Sequence, residues 1–170
     1  IKHMFKGAVS SSEASTELLE KFGIEVFELN HVNEILVYVD GADEVDTSHN
    51  LIKGGGGAHT REKIVASASN EFVCIVDKSK LVKTLGNFPL PVEAMIKSRS
   101  YVAREIVKIG GLPELRKDFL TDQGNQILDI KDLAIDDPLD LEQRINLIPG
   151  VLDNGLFANC KPQKVIVGKD

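Results

Sequence analysis

The sequence predicts an α/β protein, with a largely parallel, Rossmann-like sheet flanked by helices and a smaller α+β subdomain. Two observations lead to this prediction. In the first half of the chain, short apolar strands alternate with helices, which is typical of a parallel sheet with helices on its faces. The second half contains a hairpin pattern followed by a helix and further strands. A length of 170 residues fits one domain, or one domain with a small appendage.

The first half begins with a strand that ends at residues 10–12, where Ser10 and Glu13 match a capping box. The following helix stops at Gly23. Its apolar face consists of Leu18, Leu19 and Phe22. The remaining predicted elements are strands at 24–27, 35–39 and 72–76, and a helix that is capped by Thr60 or a near neighbour and runs to about Ser69. The strand over 36–39 is apolar throughout, so we expect it to be buried.

The second half has a different pattern. Residues 115–120 and 126–130 flank a turn sequence and predict a hairpin, and Pro138 occupies the first position of a helix. A helix from Ser98 or Ser100 precedes the hairpin, and closing strands follow at 156–157 and 165–167. We therefore predict an α/β domain over 1–88 and about 151–170, with the α+β subdomain over about 89–150.

Composition narrows the possible partners. The net charge is -6, and there is no basic tract and no tryptophan, which argues against a nucleic-acid partner. No apolar stretch approaches the roughly 20 residues that a membrane-spanning helix requires. No signal-peptide pattern is visible at the beginning of the sequence. We expect a cytoplasmic protein that contacts neither nucleic acid nor membrane.

The cysteines and histidines give no sign of a metal site. Cys74 lies in an apolar strand pattern, so a buried structural thiol is the better interpretation, although a disulfide with Cys160 stays open. The histidines are scattered without zinc-ligand spacing; they are His3, His31, His49 and His59. We expect no metal and no cofactor.

One window concentrates groups that could carry chemistry. Lys53 opens a run of four glycines, Glu62 follows nine residues later, and Asp40 precedes Lys53 by thirteen residues. A glycine run costs folding entropy, which a compact chain tolerates where its backbone must bend or approach a ligand. Asp40 ends a predicted strand, and Glu62 falls in the first turn of a predicted helix, at the sheet edge where α/β proteins bind ligands. The alternative is a flexible turn beside a solvated acidic patch.

This window resembles the type A ribose-5-phosphate isomerases. The matching segments are residues 7–12 (GAVSSS), 40–44 (DGADE), 53–56 (KGGG), 60–63 (TREK), 88–93 (FPLPVE) and 155–158 (GLFA). They occur in the family's order and with its spacing over nearly the whole chain. The resemblance implies interconversion of ribose 5-phosphate and ribulose 5-phosphate through an enediolate, in the non-oxidative pentose phosphate pathway, by a homodimer.

The resemblance also implies roles for individual residues. Glu62 is the base that moves the proton, and Lys53 stabilises the enediolate together with the N–H groups of Gly54, Gly55 and Gly56. Asp40 and Asp43 hold sugar hydroxyls, one of them assisting ring opening, and Gly41 and Ala42 complete that contact. Lys80 matches a family lysine near the sugar phosphate. We place Glu44 and Asp46 on the solvated face.

Two departures from the family stand out. Family members open with a strand, a Gly/Ser/Thr-rich turn and a helix before the segment at 7–12, whereas Gly7 here is almost the first residue. We therefore expect the 170 residues alone to have little isomerase activity. Gly57 and His59 stand where the family more often has alanine and an apolar residue.

Two other functions stay open. In one, a metal-dependent enzyme holds Mg²⁺ or Ca²⁺ with its acidic residues, namely Asp40, Asp43, Glu44 and Asp46, although their spacing is not that of an EF-hand loop. In the other, a non-catalytic sensor domain binds a sugar phosphate on a related fold. Glu62 distinguishes the sensor from the isomerase, because a sensor has no use for a base.

Overall fold

The computed structural model describes residue 4 and residues 6–168, so His3 and the predicted domain limits at 1 and 170 lie outside the described part of the chain. Its elements follow in chain order. They are α1 (Glu13–Lys21), β1 (Ile35–Asp40), β2 (Glu44–Val45), β3 (Leu51–Ile52), α2 (His59–Ala68), β4 (Ser69–Val76), β5 (Leu90–Ala94), α3 (Arg99–Lys108), β6 (Leu112–Leu115), β7 (Gln126–Lys131), α4 (Pro138–Asn146), β8 (Val151–Asn154), β9 (Leu156–Phe157) and β10 (Lys164–Val167). Short 3₁₀ turns occupy Leu29–His31, Lys78–Lys80 and Ile96–Ser98.

A parallel sheet forms the first layer and confirms the predicted α/β class. Its strand order is β1-β4-β10, and both pairings are parallel. Asp40 at the end of β1 lies beside Cys74 of β4. The carboxyl ends of these two strands therefore share one sheet edge, where ligands of open α/β sheets bind.

Two antiparallel sheets complete the architecture. The smaller one has the order β2-β3-β9, and the larger one has the order β6-β7-β5-β8 with α3 and α4 packed against it. A register shift between Glu93 and Ala94 interrupts the pairing of β5 with β8. The larger sheet falls within the region for which the α+β subdomain is predicted. The division into two domains stays a prediction.

Each of the two main sheets has its own hydrophobic core. Val92, Ile106 and Ile145 are completely buried at the centre of the core that joins α3 and α4 to the larger antiparallel sheet. Phe72 and Phe157 lie in the core of the parallel sheet, with their ring centroids 6.4 Å apart. Ile52 of β3 and Leu51 beside it belong to different cores, so this short strand joins the two layers.

Several local predictions were wrong. The side chain that caps α1 is Ser12, which accepts from the Ser15 N–H, rather than Ser10. The predicted strand at 24–27 is reduced to a single bridge between Ala8 and Val26. The first hairpin strand ends at Leu115 instead of beginning there, because residues 116–125 form a long connecting loop.

Burial was also misjudged at two apolar segments. Leu36, Val37 and Val39 are exposed, and only Tyr38 of β1 is buried. Among the described residues, β1 pairs on one side only, with β4, and its outer side chains have little packed against them. The apolar face of α1 is likewise uncovered, since Leu18 and Phe22 are exposed. In both segments the apolar sequence pattern was correct but no described element covers it.

Candidate active site

The window found in the sequence folds into one cluster at the carboxyl edge of the parallel sheet. Asp40 is the last residue of β1, Lys53 directly follows β3, and Glu62 lies in the first turn of α2. Lys53 is anchored by its own backbone, because its N–H donates to the carbonyl of Gly155 at 2.9 Å. Three separate elements thus deliver one cation and two carboxylates to the same place.

Lys53 is the centre of this cluster and is only 3% exposed. Its Nζ donates to Asp40 Oδ2 at 2.9 Å and to the carbonyl oxygen of Gly41. It also lies 3.3 Å from Glu62 Oε2, which is within ion-pair distance. Burial lowers the pKa of Lys53, but the charges of Glu62 and Asp40 outweigh this effect and raise the pKa above its ordinary value. Lys53 is therefore a permanent buried cation.

Glu62 combines burial with an unsatisfied oxygen. Oε2 is buried and is paired with Lys53 Nζ at 3.3 Å, without a hydrogen bond of good geometry from the described residues. Burial raises the pKa of Glu62, against the opposing effect of Lys53, and the charge of Asp40 raises it further. A carboxylate in this environment is a stronger base than an ordinary surface glutamate.

Asp40 is held by more groups than the sequence suggested. Its Oδ2 accepts from the hydroxyl of Tyr38, and its Oδ1 accepts from the N–H of Gly41 at 2.8 Å. Burial and the neighbouring Asp40 raise the pKa of Tyr38 far above the ordinary value, so the hydroxyl stays a donor. Tyr38 was not selected from the sequence. Its position two residues before Asp40, on the same face of the strand, was the available signal.

The glycine-rich loop is tied to the site through Asp43. The Gly55 N–H donates to Asp43 Oδ2 at 2.8 Å, and Asp43 itself is fixed by a backbone bond to Ile52. Gly54 has φ = +105°, and a Cβ there would lie 2.7 Å from His59 Nδ1. A side chain at this position would be strained and would collide with His59. Asp43 thus positions the loop as well as facing the site.

The first turn of α2 has no side-chain cap and is fixed by outside contacts instead. Its N-cap residue is Ala58, a near neighbour of Thr60, but alanine supplies no side-chain cap. Thr60 donates to the buried Glu93, which also accepts from Thr121 and Asn125. The residues on either side of Glu62 have their own partners. Arg61 pairs with Glu13 and Asp122, and Lys63 pairs with Glu142 and Asp153.

Three of the residues that were assigned a place from the sequence lie outside the cluster around Lys53. Lys80 ends the short turn that follows β4, so it lies on the same sheet edge, half-buried and outside the Lys53 cluster. Glu44 was expected on the solvated face, and this was wrong. It is 4% exposed and accepts from the N–H groups of Gly86 and Phe88, each at 2.7 Å. Asp46 is half-buried and accepts hydrogen bonds from Ser48 and Asn50 within its own turn.

His59 and Cys74 are buried close to the site without taking part in it. Neither ring nitrogen of His59 has a hydrogen-bond partner among the described residues. Burial and the nearby Lys63 lower the pKa of His59 to about 4, so the ring is neutral. Burial raises the pKa of Cys74 to about 11, as expected for a structural thiol. Both Cys74 and Cys160 are free thiols.

The arrangement is suited to moving a proton. It offers a buried carboxylate that shares one lysine with Asp40, a cation that can stabilise a developing oxyanion, and exposed backbone at Gly55 and Gly56. In the described part of the chain, no cluster of three or more His, Cys, Asp or Glu has the geometry of a metal site. No helix among the described residues is long and apolar enough to span a membrane. The fold and site define an α/β protein with a buried lysine–carboxylate cluster at the carboxyl edge of its sheet.

Comparison with known proteins identifies the family. The sequence profile for ribose 5-phosphate isomerase A (phosphoriboisomerase A) matches residues 7–170. Ribose-5-phosphate isomerase A of Buchnera aphidicola subsp. Acyrthosiphon pisum (strain Tuc7) is 53% identical over 168 residues, which are 99% of this chain and 75% of the relative. The chain belongs to the ribose 5-phosphate isomerase A family.

Solved structures agree in fold. Ribose 5 phosphate isomerase A from Neisseria gonorrhoeae superposes with a TM-score of 0.96 at 54% identity, over 98% of this chain and 74% of that one. The enzyme from Methanocaldococcus jannaschii gives a TM-score of 0.92 at 41% identity, over 96% and 75% of the two chains. A third, 40% identical structure of D-ribose-5-phosphate isomerase, with a TM-score of 0.89 over 94% of this chain and 73% of that one, contains phospho-erythronic acid.

Proposed function

We propose that this protein interconverts D-ribose 5-phosphate and D-ribulose 5-phosphate, an aldose–ketose isomerisation of the non-oxidative pentose phosphate pathway. The observation that carries the proposal is the position of Lys53 Nζ between two carboxylates, 2.9 Å from Asp40 and 3.3 Å from Glu62. Membership of the ribose 5-phosphate isomerase A family supplies the substrate.

The reaction needs one base that takes and returns a proton. Glu62 removes the proton from C2 of the open-chain aldose, and the electron pair moves toward the aldehyde oxygen to give an enediolate. Lys53 stabilises the oxygens that gain charge, assisted by those N–H groups of the glycine loop that Asp43 does not engage. Glu62 then returns the proton to C1, while the hydroxyl proton of C2 passes to the oxygen on C1, which leaves the ketose.

Other residues bind the rest of the sugar phosphate. Asp43 and Asp40 hold hydroxyls, and Asp40, which is 27% exposed, can assist ring opening. The backbone at Gly41 and Ala42 completes that side of the site. We assign Lys80 to the phosphate, because it follows β4 at the same edge of the sheet and matches a family lysine near the sugar phosphate.

The larger-scale assignments are also proposals. The protein acts as a homodimer in the cytoplasm, as the family resemblance implies. The α/β domain over 1–88 and about 151–170 carries the site, and the subdomain over about 89–150 supports it. A sugar-phosphate sensor is a poorer explanation, because mere binding has no use for a buried glutamate whose pKa burial raises and which shares its one lysine with Asp40.

The test is the conversion of ribose 5-phosphate by the full-length protein, followed in EDTA. We expect Glu62→Gln to lower kcat by about 10²-fold or more, with a much smaller change in KM, because glutamine keeps the shape but not the base. Because burial raises the pKa of Glu62, the acid limb of the parent pH–rate profile should lie above the ordinary glutamate value of 4.5.

The matched control is Glu17→Gln, which changes an exposed glutamate of α1 and should leave kcat unchanged. Exchange of the C2 hydrogen with solvent gives an independent readout of proton removal. A Glu62→Gln protein that isomerises at the parent rate would refute the assignment of the base, and a parent protein without activity would refute the isomerase function itself.

A further inference from the structure

Arg116 connects the larger antiparallel sheet to the glycine loop of the site. It directly follows β6, and its Nε donates to Asp129 Oδ2 of β7 at 2.9 Å, while Nη2 donates to Oδ1 of the same carboxylate. Its remaining nitrogen, Nη1, donates to the carbonyl oxygens of Gly54 and Gly55, at 3.1 Å each. The forked pair with Asp129 therefore leaves one edge of the guanidinium for two loop carbonyls.

These two contacts determine how the loop peptides are oriented. In a trans peptide the C=O and the following N–H point in opposite directions. The Gly54 carbonyl faces Arg116, and accordingly the Gly55 N–H points the other way and donates to Asp43 at 2.8 Å. The Gly55 carbonyl also faces Arg116, so the Gly56 N–H is directed away from Arg116, toward the side of the loop that holds Asp43.

The Gly56 N–H is free to bind a ligand. It has no hydrogen-bond acceptor among the described residues, and Gly56 is exposed. A Cβ built on Gly56 meets no heavy atom within 4 Å, so the space beside it is open. An aimed and unoccupied donor, in the loop that begins at Lys53, is the kind of group that stabilises a developing oxyanion.

We propose that Arg116 is a positioning residue, which together with Asp129 holds the peptide between Gly55 and Gly56 so that the Gly56 N–H donates to the enediolate. This inference rests on the proposed isomerase function and adds a residue from outside the sequence window. Arg116 touches neither substrate nor proton. It acts by keeping a donor aimed before charge develops, which avoids reorganisation during the reaction.

The first experiment replaces Arg116 with lysine in the full-length protein. Lysine keeps the charge but cannot pair with Asp129 through a fork and contact two carbonyls at once. We expect kcat for ribose 5-phosphate to fall about 10-fold or more, which is a smaller loss than complete removal of an oxyanion donor causes. KM should change by less than about 2-fold. Arg144→Lys, in the exposed pair with Asp140 on α4, is the matched control and should leave both constants unchanged.

Analogue binding separates positioning from a general structural role. Phospho-erythronic acid carries a carboxylate that resembles the charged enediolate, whereas erythritol 4-phosphate carries an uncharged alcohol at the same place. Arg116→Lys should weaken binding of the acid by about the factor lost in kcat and leave binding of the alcohol unchanged. Equal weakening of both analogues, or a parent-like kcat, would overturn the proposal.

A double-mutant cycle tests the link to the Gly56 donor directly. Gly56→Pro removes the N–H, so it should lower kcat, and Arg116→Lys added to it should cause little further loss. Multiplicative losses would show that Arg116 acts through something else.

Asp129→Asn keeps the arginine and should reproduce the kcat effect in weaker form. This variant keeps the test decisive if Arg116→Lys folds poorly. A parent protein that binds the acid but does not isomerise ribose 5-phosphate would instead reject the proposed function.

Discussion

At the scale of single residues, the site contains one buried cation between two carboxylates, so negative charge exceeds positive charge there. This excess is the physical basis of the proposed role of Glu62 as a base. Lys53 is close to both Asp40 and Glu62, so each carboxylate competes for the same positive charge. Burial raises the pKa of Glu62, Lys53 opposes this effect, and the charge of Asp40 raises the pKa further. A glutamate with a full set of donors would be a weak base. The incomplete pairing of Glu62 is what suits it to proton transfer.

His59 should make the stability of the fold depend on pH. Its ring takes up a proton near pH 6.5 when unfolded, but only near pH 4 in the folded protein, because burial opposes the charge; Lys63 and Arg116 also oppose it, whereas Glu93 favours it. Between these values the unfolded state binds more protons, so the free energy of unfolding falls as the pH falls. The stabilisation is complete above pH 6.5 and diminishes toward pH 4.

The expected loss attributable to His59 is about 1.5 kcal/mol between pH 6.5 and 5. His59→Leu fills the same apolar space without a titrating group and should remove this part of the pH dependence. Denaturant unfolding at both pH values measures it, with His31→Gln at an exposed histidine as the control. If the parent and His59→Leu lose the same stability on acidification, His59 is not responsible.

At the scale of elements, the glycine loop and the first turn of α2 act as one unit that lies between two sheets. Asp43 holds the loop from the side of the parallel sheet, and Arg116 holds it from the larger antiparallel sheet. Thr60 fixes the start of α2 to Glu93 of β5. The helix can therefore present Glu62 without a side-chain cap of its own.

Neighbouring glycines of the loop should differ in their tolerance of a side chain. A Cβ on Gly55 would lie 2.7 Å from Asp43 Oδ1, whereas a Cβ on Gly56 has open space. We expect Gly55→Ala to weaken sugar-phosphate binding by about 10-fold or more, because a displaced Asp43 costs of the order of 1–3 kcal/mol in lost hydrogen bonding. Gly56→Ala keeps its N–H and leaves Asp43 in place, so it should weaken binding less than Gly55→Ala does.

Titration with phospho-erythronic acid measures ligand affinity, and thermal melting of the free proteins measures stability, so the two effects of each substitution are separated. Both alanine variants should melt within a few degrees of the parent. A large fall in the melting temperature of Gly55→Ala with unchanged affinity for the acid would mean that Gly55 serves packing and not binding.

The sequence was informative where the signal is local. Asp40 and Glu62 were placed correctly because a strand end and a helix start bring nearby residues to the same sheet edge. Glu44 and Arg116 were misjudged or missed because their partners, the N–H of Gly86 and the carbonyl of Gly54, are more than 40 residues away. An isolated glutamate or arginine in a polar segment carries no pattern that reveals such contacts. The prediction that β1 is buried failed for the same reason, because burial depends on which elements lie against the strand.

At the scale of the whole molecule, a buried polar network connects the site helix to the rest of the fold. Lys63 of α2 pairs with Glu142 of α4 at 3.0 Å and with Asp153 of β8 at 2.7 Å. Glu142 also accepts from the N–H groups of Ala158 and Asn159, just after β9. Lys63 and its partner Glu142 thus connect α2, α4, β8 and the segment just after β9. Glu62, the residue before Lys63, belongs to the site.

Lys63→Met should therefore destabilise the whole fold. The substitution keeps most of the apolar stem but leaves Glu142 and Asp153, which are 4% and 8% exposed, without their cation. Breaking a buried ion pair in this way costs about 3–5 kcal/mol, because the remaining charges stay desolvated. Lys108→Met removes an exposed pair with Glu105 and should cost less than about 1 kcal/mol, which makes it the matched control.

Denaturant unfolding of the two variants and the parent protein gives the difference directly. If the network joins the sheets into one cooperative unit, Lys63→Met should shift the unfolding midpoint without splitting the transition, since α2, α4 and β8 lose stability together. Two separate transitions would show that the parallel and antiparallel sheets unfold independently. A midpoint within experimental error of the Lys108→Met protein would show that solvent or rearranged side chains replace the lysine, and that the charge of Lys63 does not hold the layers together.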